Sequence, residues 1–188
     1  MKRIFALIIA FAMTVALAGC FGRSESRVTE QEIPNVITSS DDVTINVPAS
    51  FFEGRSMEEI IEEALEEGIV VTFNEDGTVS YTMSGSYHNE MMEEIRDEVL
   101  ATFAEMLEGE VWNDIVKDIR ANDDFTSITV EVDRANFENN MFAAMLNFVL
   151  GMQARVYNVF RGNLDAEITV DIVDAITGEI ISTTVYPE

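Results

Sequence analysis

One cysteine stands in the whole chain, at position 20, directly after Leu17-Ala18-Gly19. With a lone thiol no intramolecular disulfide can form, so the fold must be held by packing alone. The chain has 188 residues, enough for one domain of ordinary size with a real core.

The same cysteine marks a boundary. Lys2 and Arg3 give a basic start, Ile4 to Ala18 an apolar stretch of about fifteen residues, and Ala18-Gly19 the small residues a signal peptidase needs before its cut. That stretch is short for a membrane span, which takes about twenty residues. The layout resembles a bacterial lipoprotein signal. It predicts a leader over 1–19, signal-peptidase recognition at Leu17, Ala18 and Gly19, and lipidation of Cys20. Two acyl chains, at about 0.8 kcal/mol per buried methylene, hold a protein stably where one does not. The expected address is extracytoplasmic, at the cell membrane, with the membrane as partner through the lipid on Cys20.

Charge narrows the other partners. The formal net charge is −24. Without Lys2 and Arg3, nine basic side chains face 35 acidic ones, a net −26 for the mature chain, and Lys117 is its one lysine. Such a field repels phosphate backbones and anionic headgroups, so nucleic acid is excluded as a partner and the folded part stands off the membrane. A basic or neutral protein or peptide fits better, although solubility alone accounts for the acidity equally well.

From Phe21 to about Ser40 the composition turns polar and turn-prone, which makes residues 20–40 a lipidated, flexible tether with a relaxed span of roughly 25 Å. Residues 41–188 are expected to form a single α+β domain. Val43, Ile45 and Val47 alternate with polar residues as a strand. Ser56 and Glu59 form a capping box for a short helix with Ile60, Ile61, Ala64 and Leu65 on one face, ended by Gly68. Ile69 to Phe73 and Thr78 to Met83 form a hairpin across Asn74-Glu75-Asp76-Gly77. Ser86 is placed to cap a long helix bearing Met91, Ile95, Val99 and Phe103, and Gly109 breaks it. Trp112, Ile115, Val116 and Ile119 predict a short second helix. After the turn Asn122-Asp123-Asp124, Ile128 to Val132 reads as a strand. Asp133 then caps a third helix whose stretch Met141 to Phe160 is apolar nearly all round. Asn147, Gln153, Arg155 and Asn158 interrupt that stretch, so it is expected as a core helix and not a span. Asp165 to Asp174 and Glu179 to Tyr186 close the chain as a hairpin with Gly178 at its turn. The sum is a two-layer sandwich, a mostly antiparallel sheet of about six strands with helices on one face.

Five phrases carry a resemblance: Asn46-Val47-Pro48-Ala49-Ser50-Phe51-Phe52, Asn74 to Val79, Asn122 to Thr126, Thr129 to Asp133, and Thr177-Gly178-Glu179 before Val185-Tyr186-Pro187. They resemble a group of small, functionally uncharacterised lipoproteins of mostly Gram-positive bacteria, some labelled antigen I/II N-terminal domain. The resemblance implies an address and a fold, and brings no catalytic residues. Val173 to Glu179 is also similar to the terminal hairpin of PepSY domains, extracytoplasmic modules suspected of protease inhibition. The same seven residues are a good turn sequence in their own right.

Chemistry has few bearers. His88 is the only histidine, at the start of the long helix, and nothing marks a nucleophile for it. A serine–lysine pair would have to use Lys117. Zinc sites of cysteine and histidine cannot be assembled, no catalytic residue or cofactor is assigned, and no metal site is expected. Carboxylates abound, at Glu58, Glu59, Glu62, Glu63, Glu66 and Glu67 and again at Glu90, Glu93, Glu94, Asp97 and Glu98, but at spacings that read as solvated helix faces. Asn74 to Gly77 is too short for a calcium loop of the EF-hand kind. The expectation is therefore a membrane-anchored lipoprotein whose domain acts as a non-enzymatic binding or accessory module at the cell surface. The alternatives are a surface hydrolase using carboxylates and a protease-inhibitor or immunity-type module. An exposed apolar patch or open sheet face would mark a binding module; a cleft with convergent carboxylates of raised pKa would mark the hydrolase.

Overall fold

Seven strands and four helices follow one another in a computed structural model that describes residues 41–52 and 54–187. The strands are β1 (Asp42–Pro48), β2 (Val70–Phe73), β3 (Thr78–Ser84), β4 (Val116–Ala121), β5 (Ser127–Val132), β6 (Ile168–Asp174) and β7 (Ile180–Tyr186). The helices are α1 (Met57–Glu66), α2 (Gly85–Glu108), α3 (Arg134–Glu138) and α4 (Ala143–Phe160). The fold is α+β with helices packed on sheet. The strands divide into two sheets, β1-β3-β2 and β4-β5-β6-β7, where a single sheet of about six was expected. Pairing is antiparallel except between β5 and β6, which run parallel. The long α2 carries the chain from the first sheet to the second, and α2 and α4 each touch strands of both. One continuous core results, from Ile45 through Val99 and Leu150 to Ile172.

Local chemistry sets the element boundaries. Ser56 and Glu59 close the reciprocal capping box at α1. The β2–β3 reversal uses Gly77 at φ 82°, a conformation glycine takes without cost. Ser84, not Ser86, caps α2: it is still extended as the last residue of β3, and its hydroxyl accepts from the Tyr87 amide at 3.2 Å.

Two expected helices are corrected. Trp112 to Ile115 lie in a turn and β4 follows from Val116, where a second helix was predicted. A β-bulge between Val116 and Asp118 is the reason, because the extra residue reverses the alternation of sides. Val116 and Ile119 pair with Val132 and Val130 on one face, so their spacing of three imitates a helix. The third helix is broken in two. Asn139 ends α3, and the Asn140 carboxamide oxygen accepts from the Phe142 amide at 2.8 Å, a local bond that competes with helix continuation. The long apolar stretch thus begins as α4 at Ala143. Among the described residues no helix is long and apolar enough to cross a membrane.

The β4–β5 turn is locked into the core by an unusual residue. Phe125 has φ 55°, left-handed backbone that a bulky side chain rarely adopts. Its ring is buried, edge-on to Tyr157 at 4.9 Å and to Phe103 at 6.0 Å, with the Arg96 guanidinium 5.4 Å above it. Asn158 of α4 donates to the Asp124 carbonyl at 2.8 Å and Arg96 of α2 to that of Asp123 at 2.8 Å. Burial of the ring outweighs the backbone cost of about 1–2 kcal/mol. Phe125→Ala loses the ring and keeps the strained backbone, a loss of about 3–5 kcal/mol. Phe125→Gly should be the milder change by about 1 kcal/mol, reversing the usual order of the two residues. Urea unfolding of both variants checks the order.

Candidate functional site

Leu17, Ala18, Gly19 and Cys20 lie outside the described residues, as does the tether. The other chemistry-bearing residues turn out to be occupied in structure. The His88 ring lies 3.0 Å from the Phe160 carbonyl, where a ring N–H satisfies the C-terminal end of α4. Lys117, expected on a surface helix, is the bulge residue of β4, and its Nζ donates to the Asp114 carbonyl at 2.9 Å. Asp76 accepts from the Thr78 amide and hydroxyl within its own turn, and these bonds hold its carboxyl below the usual range. Asp174 is buried and caps the last turn through the Ile176 and Thr177 amides, with Arg134 Nε 3.2 Å away. The Ile176 amide contributes most to holding its carboxyl low. Among the described residues no three of His, Cys, Asp and Glu gather where a metal ion could sit.

Most carboxylates of α1 and α2 are exposed, with Glu63 paired to Arg55. Glu98 departs from that pattern. It is half-buried on α2, its Oε2 accepts no hydrogen bond from the protein, and desolvation, with Glu94 beside it, pushes its carboxyl up. It is the one carboxyl with a raised pKa among the described residues. A hydrolytic pair divides its roles between one carboxyl held protonated and a second that stays ionised.

The other feature is apolar. Met141, Phe142, Met145 and Phe148 are 87%, 49%, 49% and 47% exposed. On α4, Met145, Phe148 and half-buried Met152 lie on one face with steps of three and four, and Met141 and Phe142 stand in the turn just before it. Sequence reasoning missed these four as site residues because it assigned the whole stretch to the core. The available signal was a surplus: a core-facing helix needs one apolar stripe, and this one has apolar residues on nearly every side.

The row lies beside a sheet edge. Asn147 donates to the Thr184 hydroxyl at 3.1 Å, and a Cβ on Gly151 would stand 2.2 Å from the Tyr186 ring, so α4 runs along β7 in close contact. Phe148 and Met152 each follow these β7-facing residues by one position, about 100° around the helix. Ile180 and Val185 of β7 are 62% and 39% exposed. Neither Asn139 to Ala154 nor Ile180 to Tyr186 contains a charged residue, within a chain of net −24. Methionines and aromatics on an exposed helix face suit adaptable protein contacts.

Comparison with protein-family models, with curated proteins and with solved structures returned no match.

Glu98 yields a pH prediction. Its folded pKa lies above its unfolded one, so ionisation costs stability at any pH above both, and that cost fades as pH falls through the folded value. Glu98→Gln should stabilise the domain near neutrality by less than about 1 kcal/mol, since solvent screens a half-exposed charge. Thermal melts of the two proteins should converge on acidification.

Proposed function

We propose that this chain is a lipid-anchored extracytoplasmic lipoprotein whose domain acts by binding and not by catalysis, with Met141 and Phe142, the Met145–Phe148 face of α4 that follows them and the adjoining β7 edge as its contact surface. The observation that carries the binding reading is the exposure of Met141, Phe142, Met145 and Phe148 in an uncharged strip. Leaving such a surface in water forfeits about 25 cal/mol per Å2 of apolar area, which a partner recovers on docking. The anchor reading rests on Leu17-Ala18-Gly19-Cys20 and the apolar run before it.

Each half has its own test. Cells fed an alkyne fatty acid should label the wild-type chain and leave Cys20→Ala unlabelled and released from the membrane fraction; label retained on the variant refutes the anchor. A photo-crosslinking amino acid at Phe148 should give an adduct heavier than the chain in living cells, and an equivalent probe at exposed Glu62 should not. No adduct at Phe148 refutes the binding reading.

A further inference from the structure

The strip has a geometry that fits itself. Among the described strands, β7 pairs with β6 alone and is the last of its sheet. At the opposite end β4 carries Lys117, Asp118 and Arg120 and a bulge, the usual guards against edge-to-edge pairing. Among the described strands of that sheet, β7 is the edge without charge.

We propose that the partner is a second copy of this chain: β7 pairs antiparallel with the β7 of another copy about a two-fold axis, and the Met145–Phe148 faces of the two α4 helices pack together above the joined sheet. The proposal rests on the binding reading above and names its occupant.

One observation and two general spacings converge on it. α4 contacts both β6 and β7, so it lies over that strand pair. Joining two β7 edges at the ordinary strand spacing of about 4.8 Å puts the two helices two spacings apart, about 10 Å. Helices pack at 8–10 Å, so a single operation pairs the strands and closes the helices. The symmetry is isologous, with the same patch supplied by both copies. Charge then selects the occupant. A basic partner would be drawn to the carboxylate-rich surfaces elsewhere, whereas two bodies of net −24 can meet only where neither presents charge.

Salt therefore has a predicted sign: screening relieves repulsion between the bodies and leaves the uncharged contact intact, so the dimer tightens as salt rises. Sedimentation of the purified full chain in detergent should show a protein mass that doubles with concentration, at lower concentration in high salt. Met145→Glu with Phe148→Glu should restore the monomer with an unchanged thermal melt, and Val185→Lys should do so independently. Single cysteines moved from Ile181 to Val185 should give one position of strong disulfide-linked dimer in cells. A chain monomeric at every concentration in high salt, a dimer that survives all these substitutions, or no crosslinking position would overturn self-pairing. A Phe148 adduct whose mass differs from twice the chain would overturn it as well, while leaving the binding reading in place.

Discussion

Burial of one face of α4 is the interaction on which the rest depends. Leu146, Leu150 and Ala154 are wholly removed from solvent, on a helix that contacts β1 of one sheet and β6 of the other. Each large aliphatic side chain so placed contributes about 1.5–3 kcal/mol. Without that helix the two sheets would share only α2, and the apolar faces it covers would be open to water. Polar groups on the same helix fix its position along and around its axis. Asn147 reaches β7, Asn158 reaches the β4–β5 turn, and Gly151 gives the Tyr186 ring room to lie flat against the backbone. The glycine is needed there because any side chain would occupy the ring's place.

Much of this was legible in the residues, and the failures have physical causes. Elements whose signals are local came through: the Ser56–Glu59 box, the Asp76-Gly77 turn and the alternating strands at Ile45 and Val130 depend on neighbours within a few positions. The α+β class followed from their order. What sequence alone could not show were features set by distant partners. The bulge at Lys117 exists because β4 must keep Val116 and Ile119 against the same face of β5, and that demand is invisible until β5 is in place. Likewise, Ser84 became the cap because β3 runs into α2 without a loop. The α4 face was misassigned for a similar reason: hydrophobic periodicity reports how much apolar surface a helix has, and only the tertiary structure reports how much of it the core can cover.

The distribution of charge ties these points together. The carboxylates sit mainly on the outer faces of α1 and α2 and in turns, where several serve as caps: Glu59, Asp76, Asp133 and Asp174 each accept from backbone amides. On the outward face of the second sheet Arg120 is bonded to Glu131, and Asp171 accepts from the Thr183 hydroxyl. The outward face of the first is a ladder of Thr44, Thr82, Asn46 and Ser80 joined by side-chain hydrogen bonds. Against these wet, well-bonded surfaces the strip along α4 and β7 presents apolar groups and no charge.

The parallel register of β5 and β6 has a kinetic corollary. β6, the parallel partner that pairs with the backbone edge of β5, comes only after α3 and α4. Pairings separated by such a long crossover are slow to close, because the intervening chain must be ordered first. During synthesis, then, the β4–β5 hairpin spends an interval with one edge unpaired, awaiting residues still to be delivered. The C-terminal hairpin acts as a latch: a chain cut short after α4 would keep most of its helical interior and lack the strand that seals it.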